Sequence, residues 1–117
     1  MNKHEAQALS QMGEGVSEYN RGVLKALGHG ALFDEWNGAC MGLSIVMAMV
    51  RDAEIAATPA DQADNLLFFP EIAPSLKAEQ DAASVRKHAA WIPIEALRRQ
   101  ALDALEGADP FGLAQAS

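Results

Sequence analysis

The stretch that decides the fold is residues 38–50, Gly-Ala-Cys-Met-Gly-Leu-Ser-Ile-Val-Met-Ala-Met-Val, which lies between Asn37 and Arg51 and contains no charged residue. It is too short to span a bilayer, which takes about 20 apolar residues. The apolar pattern extends from Leu32 to Ala57, and this length, rich in alanine, methionine and leucine, favours a helix over a buried strand. We therefore predict a central helix over about residues 32–57.

The bulky apolar side chains of this helix are spread widely around its axis. At about 100° per residue they cover roughly 240°, whereas a surface helix of a globular protein has an apolar arc nearer 100°. The chain itself, a second copy or another protein must then cover most sides of the helix. The narrow stripe that remains consists of Asn37, Cys40, Ser44, Ala48 and Arg51.

Two glycines lie one helical turn apart inside the apolar arc, at Gly38 and Gly42. Each costs about 1 kcal/mol in a helix interior relative to alanine. Small residues four apart allow another backbone to approach closely. The pair predicts either close packing inside the monomer or a face for self-association.

Composition predicts one all-α domain, because alanine is very frequent and β-branched residues are few. We place this domain at residues 1–107 and expect residues 108–117, which contain Asp109-Pro110 and Gly112, to form a flexible C-terminal tail. The single cysteine, Cys40, excludes an internal disulfide and fits a reducing compartment. With no apolar secretory segment near Met1, the expected location is the cytoplasm.

The net charge of −7 is concentrated in the middle of the chain. Residues 31–74 hold Arg51 as their one basic residue against seven acidic ones, while residues 1–30 are neutral. Direct binding to nucleic acid depends on cationic contacts with phosphates, so an acidic chain is a poor candidate for it. The acidic middle is interpreted as solvated helix ends and loops, or as a surface that faces a basic partner.

A first helix is predicted from Asn2, which can cap it, with Glu5 three residues later in an arrangement like a capping box. Its predicted apolar stripe has spacings of three and four and consists of Leu9, Met12, Val16, Tyr19, Val23 and Ala26. A break near Gly13–Gly15 is the competing interpretation. Gly28 should end the helix, because glycine readily adopts the left-handed conformation past a helix C-terminus.

The sequence Thr58-Pro59-Ala60-Asp61 predicts the start of a short third helix that ends near Phe68, with Thr58 as its cap and Pro59 at its first position. The apolar segment that follows holds Phe68, Phe69 and Ile72 between prolines. It is interpreted either as a rigid connector whose phenylalanines fill the core or as an exposed elbow that binds a partner.

A fourth helix is predicted over about residues 75–90, and Pro93 is expected to separate it from a fifth, which Gly107 should end. The fourth helix should pack through a stripe of small residues: Ala78, Ala82, Val85 and Ala89. The fifth should pack through Ile94, Leu97, Ala101 and Leu105. The basic residues at 86–88 and 98–99 should pair in part with Glu95, Asp103 and Glu106 through helical spacings.

No pattern of residues predicts catalysis, a cofactor or a metal. His4, His29 and His88 have no second histidine or carboxylate at the spacing of a helical metal motif. There is no phosphate-binding glycine loop and no nucleophile elbow, and carboxylate pairs such as Asp61-x-x-Asp64 do not recur in the pattern of a helical metal site. We therefore expect a protein that is not an enzyme.

These observations predict an all-α bundle of four to five helices that acts as a protein–protein interaction module. It should self-associate as a homodimer and serve as a regulator or inhibitor of a partner protein. The predicted interface consists of Gly38, Met41, Gly42, Ile45, Met49, Phe68, Phe69 and Ile72.

Two alternatives remain open. In the first, a small-ligand-binding bundle, a candidate ligand stripe of Asn37, Ser44 and Arg51 lines a pocket. Arg51 would then reach solvent or a carboxylate such as Asp34 of a neighbouring helix or subunit. In the second, the chain is an acidic decoy that occupies a nucleic-acid site on an enzyme.

Overall fold

The computed structural model describes residues 1–108, which fold entirely into helices and connecting segments without a strand. The four α-helices are α1 (Lys3–Ser10), α2 (Ser17–Ala26), α3 (Gly30–Ala57) and α4 (Pro74–Ala108). A short 3₁₀ turn, Ala60–Gln62, lies between α3 and α4. The predicted all-α class is confirmed.

The chain divides into two compact units, and both α3 and α4 contribute to each. Of the described residues, the first unit contains 1–36 and 89–108, and the second contains 37–88. That residues 1–107 form one domain stays a prediction. Apart from residue 108, where α4 ends, the predicted tail lies outside the described residues.

The cap of α1 forms as its sequence predicts. The Glu5 backbone N–H donates to Asn2 Oδ1 at 2.8 Å, and Asn2 Nδ2 donates to Glu5 Oε1 at 3.0 Å. One of the unpaired N–H groups of the first turn is thereby satisfied.

The prediction of one continuous N-terminal helix is wrong, and the competing break at the glycines is confirmed. Residues 11–16 separate α1 from α2. The fully buried side chain of Asn20 holds this connection, because Nδ2 donates to the Gly13 carbonyl at 2.7 Å and Oδ1 accepts from the Gly13 N–H at 3.3 Å. The Tyr19 hydroxyl donates to the Ala8 carbonyl at 2.8 Å.

The break also disrupts the predicted stripe. Leu9 and Met12 are buried, but Val16 and Tyr19 are exposed. Two short helices joined by a corner do not keep one seam in register, so the heptad spacing in the sequence does not correspond to one packed face.

Gly28 ends α2 as predicted, with a φ of 83°. The Gly28 N–H donates to the Lys25 carbonyl at 3.3 Å, and the His29 N–H donates to the Leu24 carbonyl at 2.7 Å. This pair of bonds is a Schellman motif, which satisfies the last carbonyls of a helix and requires a left-handed residue between them. Helix α3 begins two residues later, at Gly30.

The core of the first unit is built around aromatic side chains. Trp36 of α3 has its ring centroid 6.0 Å from that of Phe33 and 5.2 Å from that of Trp91 of α4. Leu24 and Ile94 are fully buried in the same unit. The Trp36 Nε1 atom is buried and has no hydrogen-bond partner among the described residues, so the contribution of this side chain is the contact area of its ring.

The prediction of a third α-helix after Thr58 is wrong. The Thr58 hydroxyl donates to the Glu54 carbonyl at 2.6 Å, four residues earlier in the chain. Thr58 therefore closes the last turn of α3 and does not cap a new helix. Only the 3₁₀ turn follows, and no α-helix forms again before Pro74.

Pro93 does not separate two helices, so the prediction of a fifth helix is wrong. Helix α4 continues through Pro93, and Gly107 also lies inside it. Because proline has no N–H, the Ala89 carbonyl loses its helical donor, and proline costs about 3 kcal/mol in a helix interior. The next residue, Ile94, is completely buried, which helps to offset this cost.

The predicted packing faces of α4 have different outcomes. Ile94 and Ala101 are fully buried and Leu97 and Leu105 half-buried, which confirms the face predicted for the C-terminal half. In the N-terminal half the prediction is wrong, because Ala78, Ala82, Val85 and Ala89 are all exposed. The buried positions there are Ala83 and Ala90, which are rotated by one residue from the predicted stripe.

Candidate interaction surface

Large apolar side chains of α3 are exposed in the second unit. Met41, Ile45 and Met49 have between 47% and 61% of their surface accessible, and Met47 and Ile55 are also exposed. Met41, Ile45 and Met49 lie with Gly38 and Gly42 along one side of the helix, because spacings of three and four residues return to the same face. We call Gly38, Met41, Gly42, Ile45 and Met49 the α3 band.

The packed side of this part of α3 lies roughly 100° around the helix axis from the band. Ala39 and Val50 are buried, and Leu43, Val46 and Ala53 are half-buried. Coverage of most of the 240° arc by the chain itself, one of the outcomes considered for the sequence, is therefore not found in residues 1–108. Only one face of this part of α3 is covered, as in an ordinary amphipathic helix.

The two glycines of the α3 band are open. A Cβ atom added at Gly38 or at Gly42 would meet no described atom within 4 Å outside its own helical backbone. The interpretation that they serve close packing inside the monomer therefore has no support in the described residues. Their small size leaves room on the outer side of the helix.

The second exposed apolar surface is in the connection between α3 and α4. Leu66, Leu67 and Phe69 are between 81% and 90% exposed, and we call these three residues the loop ridge. The interpretation that Phe69 fills the core is wrong. Phe68 and Ile72 are half-buried. Phe68 lines a concavity of about 300 Å³ together with Ile55 and the polar residues Glu54, Thr58, Gln62 and Asn65.

Local hydrogen bonds give the loop ridge a defined backbone. Asn65 Oδ1 accepts from the Leu67 N–H at 3.0 Å, the Asn65 carbonyl accepts from the Phe68 N–H at 3.1 Å, and Asn65 Nδ2 donates to Gln62 Oε1 at 3.0 Å. An asparagine that bonds the backbone two residues ahead forms an Asx turn. The predicted interface included Phe69 and missed Leu66 and Leu67, although both stand in the same apolar run of the sequence.

The candidate ligand stripe does not form an enclosed pocket. Ser44 and Arg51 are exposed and Asn37 is half-buried; within the described part the Asn37 side chain makes only a long hydrogen bond to Met41 Sδ at 3.7 Å. A concavity of about 280 Å³ beside the stripe is lined by residues of α3 alone: Ser44, Met47, Ala48, Arg51 and Asp52. One side of a single helix cannot surround a small ligand, which needs most of its surface covered.

Arg51 does not have the partner considered for it. It forms no ion pair or hydrogen bond with any residue from 1 to 108, whereas Asp34 lies 3.9 Å from Lys25 Nζ. The guanidinium thus reaches solvent, which is one of the two outcomes expected from the sequence. This outcome removes the main support for a ligand pocket along the stripe.

An apolar concavity in the first unit was not predicted. It has a volume of about 330 Å³ and lies between α1 and α2, where its lining residues are His4, Glu5, Ala8, Gly22, Val23, Ala26 and Leu27. Gly22 contributes to this space, since an added Cβ would meet nothing within 4 Å. The sequence signal was the glycine itself, seven residues after Gly15.

The charged side chains of α4 pair locally. Glu95 Oε1 lies 3.1 Å from both Arg98 Nη1 and Arg99 Nε, as the helical spacings predict. Within residues 1–108, no three histidine, cysteine or acidic side chains come together in a group that could hold a metal ion. Cys40 is half-buried on α3.

The helices of the described part include none with the length and apolar character needed to cross a membrane. Comparison of the chain with models of protein families, with curated proteins and with solved structures finds no match.

Proposed function

We propose that this protein is a helical protein–protein interaction module that self-associates through the α3 band and regulates or inhibits a partner protein that binds the same surface. The observation that carries the proposal is the exposure of Met41, Ile45 and Met49 on one face of a helix beside two open glycines. Contiguous exposed apolar surface of this kind is typical of interaction sites. The absence of catalysis stays an expectation from the sequence.

The amount of apolar surface is suited to a weak contact. Complete burial of a methionine or isoleucine contributes about 1.5–3 kcal/mol, so each of these half-exposed side chains can contribute about 1 kcal/mol. A two-fold dimer buries each of them twice, which gives roughly 6 kcal/mol against an association cost of about 4–15 kcal/mol. The α3 band alone thus supports at most a weak homodimer.

The loop ridge can strengthen the same contact. Its three side chains are almost fully exposed, so each can contribute about 2 kcal/mol when covered. Because Asn65 and the adjacent Pro70 restrict this backbone, little conformational freedom is lost on binding. A homodimer that covers both surfaces would gain roughly 18 kcal/mol, so an association cost of about 10 kcal/mol, inside the same range, would leave a micromolar Kd.

The test is the mass of the protein in solution. Gly42→Leu places a bulky side chain on the α3 band, where a partner backbone would approach, and should reduce the assembly to monomers. Gly22→Leu is the matched control, since it is also an open glycine inside a helix and lies far from this band in the sequence. Both substitutions improve helix propensity, so neither should weaken the fold.

Sedimentation equilibrium at micromolar concentrations distinguishes the outcomes. We expect a dimer for the wild type and for Gly22→Leu, and a monomer for Gly42→Leu. A monomer mass for the wild type at these concentrations would rule out the homodimer. The reducing conditions of a cytoplasm are the proposed setting, because the chain has one cysteine, on α3.

A further inference from the structure

We propose that the partner segment bound by the α3 band is a basic amphipathic helix of another protein, an inference that rests on the proposed function of this band as an interaction surface. The band presents small and apolar residues at positions 38, 41, 42, 45 and 49, which are mostly three or four residues apart. This is the periodicity of a helix–helix seam. The occupant that matches it is a helix with its own apolar face.

The methionines of the band favour a helix of another protein over a second copy of this chain, because they can adapt to partners of different shape. Met41 and Met49 are unbranched and polarizable, and both are exposed. Methionine side chains adjust to differently shaped apolar partners and are frequent on surfaces that bind amphipathic helices. Gly38 and Gly42 leave space for the backbone or the larger side chains of such a helix.

The negative charge next to the band indicates the polar residues of the partner helix. Immediately after the band, residues 52–76 contain five carboxylates and no lysine or arginine, and these are Asp52, Glu54, Asp61, Asp64 and Glu71. All five side chains are exposed. A helix that lies along the band extends past Val50 into this acidic region, so lysine or arginine near that end of the helix would be stabilised.

A second copy is the weaker occupant on the same argument. Each copy has a net charge of −7, and Arg51 is the only basic residue of residues 31–76. Self-association therefore opposes like charges, whereas a basic helix pairs with them. The two complexes should respond to salt in opposite directions: added salt screens the repulsion between copies and weakens the attraction to a basic helix.

The probe for the test is a synthetic amphipathic peptide with leucine at the seam positions and lysine on its flanks. Fluorescence anisotropy of the labelled peptide measures binding, and circular dichroism measures the helicity it gains. One control peptide has glutamate in place of every lysine, and another keeps the lysines but has serine in place of every leucine. We expect only the lysine–leucine peptide to bind as a helix, with an affinity that falls as salt is added.

The protein variants locate the contact. Ile45→Ser should weaken peptide binding at least tenfold, while the matched control Val85→Ser, at an exposed apolar residue of α4, should leave it unchanged. Met41→Ser gives a second variant of the band, so that the result does not depend on one substitution. Equal binding of the glutamate or serine peptide, or unchanged binding by both band variants, would overturn the proposal.

Two further outcomes separate this inference from the proposed self-association. In the first outcome, the wild type is a dimer, Ile45→Ser dissociates it, and the wild type does not prefer the lysine–leucine peptide. The homodimer then stands and the basic partner is wrong. If the wild type is a monomer that binds this peptide through Ile45, the partner stands and the homodimer is wrong. If the wild type floats with phosphatidylcholine vesicles and Ile45→Ser does not, the band binds lipid and the inference is overturned.

Discussion

Trp36 and Met41 are five residues apart on α3, yet Trp36 is 3% exposed and Met41 is 59% exposed. The two side chains belong to different units of the molecule. The first unit places the rings of Phe33 and Trp91 against Trp36, and it also contains the fully buried Leu24 and Ile94. In the second unit the buried positions are mostly small, with Ala39 and Ala83 among them.

The contrast shows that apolar character in a helix does not decide whether its side chains are buried. Burial needs partner area, and aromatic and leucine side chains supply much more of it than alanine does. The first unit is therefore a core in which each change should affect the free energy of unfolding. Changes to the α3 band of the second unit should affect association instead.

The largest expected effect is the difference in the free energy of unfolding between two isoleucine-to-alanine substitutions, one in each unit. Ile94→Ala removes a fully buried side chain and should lower the free energy of unfolding by about 2–5 kcal/mol. Ile45→Ala removes a side chain that is mostly exposed and gains helix propensity, so its change should stay within about 0.5 kcal/mol. Urea denaturation of both variants measures the difference.

For the Ile45→Ala variant, the protein should be dilute enough to be monomeric, because dissociation of a dimer would add to the measured change. Similar losses at both positions would show that Ile45 is covered in solution and would remove the contrast between the units. A small loss at Ile94 would contradict the core assigned to the first unit.

A smaller effect is expected from two asparagines that both bond backbone groups. Asn20→Ala leaves the Gly13 N–H and carbonyl without their buried partner and should lower the free energy of unfolding by about 1–3 kcal/mol. Asn65→Ala breaks bonds at an exposed turn, where water replaces them, and should change it by less than about 0.5 kcal/mol. Thermal or urea unfolding of the pair tests this ranking, and a reversed order would contradict it.

The smallest expected effect concerns the open glycines. Gly22→Ala and Gly42→Ala should each raise the free energy of unfolding of the monomer by about 0.5–1 kcal/mol, because alanine loses less backbone entropy in a helix and its Cβ meets no described atom. Only Gly42→Ala should also weaken self-association. Denaturation combined with sedimentation measures both quantities, and a destabilised monomer in either variant would contradict the open space at that glycine.

Local sequence by itself determined the ends of several elements. Asn2 and Glu5 cap α1, and Gly28 ends α2 with a left-handed residue, because these depend on groups no more than four or five residues apart. The helical class and most of α3 follow in the same way, since helix propensity and i to i+4 bonding are local. The pairing of Glu95 with Arg98 and Arg99 is another local consequence of helical spacing.

The tertiary structure decided features that depend on distant partners. A buried asparagine seven residues after Gly13 holds the corner between α1 and α2, and Pro93 stays inside α4, next to the fully buried Ile94. The exposed face of α3 could not be read from its apolar run. The hydropathy of a residue gives the free energy available when its surface is covered, and only the packed chain shows which surfaces find a partner.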